Sequence, residues 1–251
     1  MKDLAIVILA AGLGKRMNNP ELPKVMSNLM NRPLIDYVIT EAQKIGPKKI
    51  VMVVGYHKEI VVEFVKNLNY DNISFVEQNE QLGTGHAVMQ AKEELADFDG
   101  NVLILCGDVP LIRSKTLIKL LTNHKSKEAI VSVLSAIVKE PTGYGRIVRD
   151  WDTGEFSKIV EQKDADANIQ RIREVNSGVF VVDSKVLFAA LDEISNSNSQ
   201  GEYYLTDIVE IVENKDMNVI AFPVADPSEL VGVNSPEQLA KAEELYKQLN
   251  G

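Results

Sequence analysis

Six consecutive apolar residues, 4–9 (LAIVIL), run directly into a turn that contains Gly12 and Gly14. An apolar run of strand length without polar alternation is the mark of a strand buried on both faces, as in a parallel sheet covered by helices. Similar runs recur at residues 49–54, 73–76, 102–106 and 130–138. Helical patterns stand between them at 33–45, closed by Gly46, and at 57–68, 85–95 and 114–124. Pro33 suits a first helical turn and Gly46 a C-terminal cap. Strand and helix alternating at this spacing require right-handed crossovers. The expected fold is therefore α/β: a Rossmann-like, doubly wound, mostly parallel (mixed) sheet with helices on both faces.

The alternation breaks near residue 139. Residues 141–156 carry Gly143, Gly145 and Gly154 among short β-like pieces, as an inserted hairpin would. A strand at 174–182, a helix at 206–214 and a last strand at 219–224 follow. Ser235-Pro236-Glu237-Gln238 opens a final helix with an N-cap serine, a proline at N1 and a glutamine at the capping-box position. No Pro/Ser-rich linker or repeat divides the chain. One domain over 1–251 is expected, with a first part at about 1–139, an insertion and sheet at about 140–216, and a closing strand and helix at 217–251. The polar stretch 195–201 (SNSNSQG) reads as a mobile loop or as a lid over a ligand.

Composition removes several classes. A net charge of −9 opposes wrapping of a nucleic-acid polymer, which needs cations to replace phosphate counterions, but not one small phosphorylated ligand. The acid is unevenly placed: residues 150–216 hold 15 Asp+Glu against 6 Lys+Arg, whereas residues 1–149 hold 16 against 19. The single Cys106 excludes an internal disulfide, and no Cys/His spacing suits structural zinc. The apolar runs are far shorter than the roughly 20 residues of a membrane span, and the N-terminus has no signal-peptide pattern. The expected setting is the cytoplasm, without a membrane partner.

Three segments carry chemistry. In LAAGLGKRM (9–17), Gly12 and Gly14 let backbone N–H groups approach an anion, and Lys15 and Arg16 add positive charge. Such a loop lies at the carboxyl end of its strand, where open α/β sheets bind ligands. It fits neither the Walker A pattern nor the dinucleotide fingerprint, since Met17 stands where a third glycine is needed. Read alone it could also be a plain strand-to-helix turn. Lys24, after Pro23, is a second cation that could return to the same anion or remain solvated. Asp108, just beyond the 102–106 strand, could hold Mg²⁺ through one oxygen or cap a helix. Residues 78–86 (QNEQLGTGH) offer amides and Gly-Thr backbone groups to the edge of a nucleobase, or form a capping turn in which His86 is structural. Cys106 packs as a small apolar residue.

In this order the segments closely resemble the bacterial N-acetylglucosamine-1-phosphate uridylyltransferases, a branch of the sugar-activating nucleotidyltransferases. The resemblance rests on LAAGLGKRM, PKV (23–25), QNEQLGTGHA (78–87), LCGDVPL (105–111), GYGRIV (143–148), IVEQKDA (159–165), EVNSG (174–178), GEYYLTD (201–207) and VGVNSPEQLA (231–240). It implies a fold of the nucleotide-diphospho-sugar transferase type. It further implies that Leu9, Ala10 and Gly12 line a uridine site, and that Gln78, Gly83 and Thr84 read the uracil. Arg16 and Lys24 would neutralise the triphosphate and the charge developing on it. Asp108 and Asn234 would ligate Mg²⁺. Gly145, Glu161 and Asn176 would hold the amino sugar.

The implied reaction joins UTP and N-acetylglucosamine-1-phosphate into UDP-N-acetylglucosamine and pyrophosphate. Glucose-1-phosphate or another hexose-1-phosphate is the rival substrate, and a non-catalytic nucleotide-sugar-binding module the rival from another class. The loop between Arg16 and Lys24 is slightly long for the family. The family's bifunctional members continue into a left-handed β-helix of hexapeptide repeats, which carries an acetyltransferase and a trimer contact. No such repeat occurs in these 251 residues, so neither acetyl-CoA chemistry nor that trimer contact is expected of them.

Overall fold

The structure, a computed structural model, describes residues 3–17 and 19–250. Its first half comprises β1 (Leu4–Ala10), β2 (Asn28–Leu29), β3 (Arg32–Pro33), α1 (Leu34–Lys44), β4 (Lys49–Val54), α2 (Lys58–Lys66) and β5 (Ile73–Glu77). Then come α3 (Thr84–Met89), β6 (Asn101–Cys106), α4 (Ser114–Ser126) and β7 (Val131–Ile137). The remainder holds β8 (Arg146–Arg149), β9 (Phe156–Val160), β10 (Glu174–Asp183), α5 (Ser184–Leu191), α6 (Asp207–Glu213), β11 (Val219–Pro223) and α7 (Pro236–Asn250).

One nine-stranded sheet runs in the order β11-β7-β10-β6-β1-β4-β5, with the β8–β9 hairpin attached through β10. β1 pairs in parallel with β4 and β6, β4 with β5, and β7 with β11. β10 runs against β6 and β7, and the attached hairpin is antiparallel too, β8 to β10 and β9 to β8. The mixed, mostly parallel sheet is therefore as expected. β1 shows why its apolar run is continuous. Leu4, Ile6, Ile8 and Ala10 face a core shared with α1, α2 and α4, while Ala5 and Val7 face a core shared with α3, α5 and α6. A strand covered on both sides has no polar face to alternate with.

Register brings the site together. Leu9 lies opposite Cys106, Ala10 opposite Val54, and Val54 opposite Glu77, so four parallel strands end at one edge. The bonding continues past the strands: Gly107 N–H donates to the Leu9 carbonyl at 2.9 Å and Gln78 N–H to the Val54 carbonyl at 2.8 Å. Because β10 is antiparallel, its amino-terminal end, with Asn176, arrives at this same edge. A register shift between Asn176 and Val179 bends it there.

Several elements differ from the sequence reading. Pro33 stands one residue before α1, with ψ at 144°, and closes the β2–β3 hairpin instead of opening the helix. α3 ends at Met89 and continues as turns whose amides bond three or four residues back. α5 was not foreseen; its N-cap is Asp183, whose carboxylate accepts from Lys185 N–H at 3.0 Å and Val186 N–H at 3.1 Å. The 195–201 stretch, by contrast, is a loop as the sequence suggests, turned at residues 198–200. Asn198 accepts from the Gln200 and Glu202 amides, and Ser199 N–H donates to Asp164 at 3.1 Å.

α7 packs outside the sheet on Leu29, Leu34, Tyr37 and Leu111. Its start is a capping box displaced by one residue: Gln238 N–H donates to the Ser235 hydroxyl at 3.3 Å, and Asn234 N–H donates to the Gln238 side-chain oxygen at 2.8 Å. The box thereby fixes the backbone of Asn234. No helix among the described residues is long and apolar enough to cross a membrane.

Candidate active site

Three side chains from distant segments meet at the carboxyl edge. Lys24 opens a short 3-10 turn (Lys24–Met26), Asp108 follows β6, and Asn234 precedes α7. The Lys24 ammonium donates to the Asp108 carboxylate, and to the Asn234 side-chain oxygen at 2.7 Å. Val233 N–H donates to the Asp108 carbonyl at 2.8 Å, which ties the two oxygen-bearing loops together. Both acceptors are hard oxygen donors aimed at one point that already carries positive charge. That is the donor chemistry of a Mg²⁺ site, so the residues fit the ion the resemblance implies. Among the described residues no group of three or more His, Cys, Asp or Glu side chains forms another candidate metal cluster.

Beside this triad opens a cavity of about 270 Å³, lined by Leu9, Ala10, Gly12, Gln78, Gly83, Thr84 and Lys24 itself. The lining thus includes all six residues expected at the uridine, with Lys24, expected at the triphosphate, beside them. Gly12 faces open space. Gln78 is only 3% exposed, and its side-chain NH₂ donates to the Gly83 carbonyl at 3.1 Å and to His86 Nδ1 at 3.0 Å. His86 therefore buttresses Gln78. Gly83 has φ at +112°, a conformation L side chains rarely adopt, and a Cβ there would lie 2.5 Å from the Tyr203 carbonyl oxygen. The Tyr203 segment docks on this loop through Tyr203 N–H to the Leu82 carbonyl and Gly85 N–H to the Tyr203 carbonyl, both 2.8 Å. The Thr84 hydroxyl accepts from Leu205 N–H at 3.1 Å.

Arg16 lies in a 3-10 turn (Lys15–Met17) and is exposed, with no hydrogen bond or ion pair among the described residues. It is not drawn into the Lys24 triad. The loop between them is held by Tyr56 and His57, which both bond the Pro20 carbonyl, at 2.6 and 3.1 Å.

The three residues expected at the sugar come together on β8, β9 and β10. Asn176 N–H donates to the Gly145 carbonyl at 2.9 Å, and the Asn176 side-chain oxygen accepts from Gly178 N–H at 2.9 Å. Glu161 follows β9 and accepts from the Thr206 hydroxyl at 3.2 Å. Burial raises its carboxyl above the usual range, Asp207, Asp164 and Glu202 add to the rise, and the Thr206 bond opposes it. Arg146, 1% exposed, donates to the Tyr144 carbonyl and, at 2.8 Å, to Gln162. Burial pushes the Cys106 thiol up to about 12, with nearby Asp108 adding to the rise; it is an inert packing residue.

The sequence offers Gln81 only within the amide-bearing 78–86 segment and gives no role to Glu202, although both line the cavity, or to Tyr203. Two of them lay inside GEYYLTD, quoted for its resemblance alone.

A model of the nucleotidyl transferase family matches residues 5–226. The chain belongs to that family. This nucleotidyl transferase is 48% identical over 247 residues to the bifunctional protein GlmU of Caldanaerobacter subterraneus subsp. tengcongensis, covering 98% of this chain and 52% of that one. It is 45% identical to that of Geotalea uraniireducens, over 98% and 53% of the two chains, and 44% identical to that of Streptococcus mutans, over 96% and 51%. The chain thus spans about half the length of these curated relatives. Among solved structures, a UDP-glucose pyrophosphorylase complexed with UDP-glucose superposes with a TM-score of 0.81 at 19% identity, over 99% of this chain and 100% of that one. At that identity the likeness establishes the shared fold.

Proposed function

We propose that the chain is a Mg²⁺-dependent uridylyltransferase that makes UDP-N-acetylglucosamine and pyrophosphate from UTP and N-acetylglucosamine-1-phosphate in the cytoplasm. The observation that carries the reading is the meeting of Lys24, Asp108 and Asn234 beside the Leu9–Gly12 cavity. Uridine lies against Leu9, Ala10 and Gly12, with its base at Gln78, Gly83 and Thr84. The amino sugar lies against Gly145, Glu161 and Asn176.

A phosphate oxygen of the sugar phosphate attacks the UTP α-phosphorus in line. One P–O bond forms, the bond to the β-phosphate breaks, and pyrophosphate leaves. No covalent nucleophile is required. The protein's work is to align two anions and neutralise their repulsion, which falls to Arg16 and Lys24. Asp108 and Asn234 hold Mg²⁺, which when bound supplies further positive charge to the phosphate oxygens. Glu161, half-buried and acceptor-rich, binds sugar hydroxyls and disfavours any ligand group that cannot donate.

Pyrophosphate release with UTP and a panel of sugar phosphates tests the proposal. N-acetylglucosamine-1-phosphate is expected to be used best. A preference for glucose-1-phosphate of more than about tenfold in kcat/KM, or roughly 1.4 kcal/mol, would overturn the sugar assignment. Absence of turnover with every sugar phosphate would overturn the activity itself.

A further inference from the structure

We infer that Lys24 is a resident cation that a divalent metal must displace. Its ammonium occupies the position between Asp108 and Asn234 until metal enters, and is then freed toward the phosphate pocket. The inference rests on reading Asp108 and Asn234 as metal ligands.

Three observations carry it. First, the Lys24 ammonium bonds both oxygen donors at once, the Asp108 carboxylate and, at 2.7 Å, Asn234 Oδ1. Two oxygens that already share one full positive charge cannot also hold a divalent ion at ordinary coordination distance, because the two cations would repel at close range. Second, all three residues are held at the backbone, but the two oxygen-bearing side chains are short and the lysine is long. Asn234 N–H is tied to the Gln238 side chain and the Asp108 carbonyl to Val233 N–H, so each short side chain has little reach from a fixed backbone. Lys24 is anchored only at its backbone, behind Pro23, and carries a flexible four-carbon stem. Third, Lys24 already lines the cavity with Leu9 and Gly12. The freed ammonium therefore has a neighbouring destination, and an anion there would favour its release. Metal and nucleotide phosphate would bind each other's conformation, without any movement of the sheet.

The test is Mn²⁺ binding to the full chain without nucleotide, followed by electron paramagnetic resonance. Lys24→Met is expected to bind Mn²⁺ at least about tenfold more tightly than wild type, the scale set by removing a unit charge from within a few ångströms. Lys15→Met removes the same charge from an exposed position on the preceding turn and is expected to shift affinity less than about twofold, by screening. Amine acylation read by mass spectrometry gives a second measure: Lys24 should label faster when Mg²⁺ is added, and Lys15 at an unchanged rate.

If Lys24→Met binds Mn²⁺ no more tightly and Lys24 labelling ignores Mg²⁺, lysine and metal coexist and the inference is wrong. Asp108→Asn separates the two layers. Were it to bind Mn²⁺ as well as wild type, or were no protein in the series to bind it, the metal-site reading would fail and the inference with it.

Discussion

The carboxylate of Glu161 sits against the bare Cα of Gly145: a Cβ added there would lie 3.2 and 3.3 Å from its two oxygens, and 3.1 Å from the Ile159 side chain. Gly145 thus sets where Glu161 can stand, while its carbonyl holds the Asn176 amide. Gly145→Ala is expected to displace the carboxylate by a few tenths of an ångström and raise KM for the sugar phosphate about tenfold, with a smaller loss in kcat. KM for UTP should change little. Steady-state kinetics with each substrate varied in turn checks this; an unaltered sugar-phosphate KM would remove Glu161 from the sugar site.

Gly83 combines a φ of +112° with backbone contact to Tyr203. Gly83→Ala must both strain the backbone and push the Tyr203 segment away, and backbone cannot yield as a flexible side chain does. A destabilisation of about 2 kcal/mol or more is expected, together with weaker uridine binding. Denaturant unfolding and UDP titration of the folded fraction measure the two effects separately. Equal stability of variant and wild type would show that the loop is free of the sheet edge.

The parallel core was legible because continuous apolar runs have one explanation, burial on both faces, and the covering helices supplied it. The β2–β3 hairpin was hidden because its two-residue turn is Met30-Asn31, with φ at 49° and 67°, where the usual signal is glycine after asparagine. α5 was hidden because SKVLFAAL is short and apolar, so its periodicity resembles a strand's, although Asp183 marks its start. At the site, residue types and motif order pointed to Lys24, Asp108 and Asn234 separately. Their mutual bonds were not legible, since Asp108 and Asn234 lie 84 and 210 positions from Lys24 and meet it only through sheet register and the α7 cap. Gln78 illustrates the same gap: its amide suggests base reading, yet both of its side-chain N–H donors are committed to Gly83 and His86, which leaves its carbonyl oxygen for a ligand.

Asp207 begins α6 and its carboxyl is pushed up to about 6, first by burial, then by Glu210 and Asp164. A carboxyl raised in the folded state contributes stability that is full below its ordinary value of 3.8 and is lost as pH rises through about 6. Above that pH the folded chain carries a half-buried charge facing like charges. Asp207→Asn should therefore gain about 1 kcal/mol over wild type at pH 8, after allowing for solvent screening, and the gain should shrink toward pH 5. Urea midpoints of both proteins across that range give the difference directly. A gain independent of pH would mean that packing, and not charge, is responsible.

His124 has the opposite sign. It is buried at the end of α4, its Nδ1 2.7 Å from the Ser132 hydroxyl and its Nε2 3.2 Å from the Asn101 side-chain oxygen. Burial lowers its pKa below the ordinary 6.5, with Asp183 opposing in part. The unfolded chain therefore takes up a proton at this residue before the folded one does. Its contribution is complete above 6.5 and is lost as pH falls toward the lower folded value. His124→Gln should be less stable than wild type at pH 7.5, by about 1–2 kcal/mol for the disrupted hydrogen bonds. Between pH 7.5 and 5.5 it should lose less stability than wild type, because it has no proton to take up. Unfolding curves at the two pH values decide, and parallel losses in both proteins would assign the acid sensitivity of the fold to other groups.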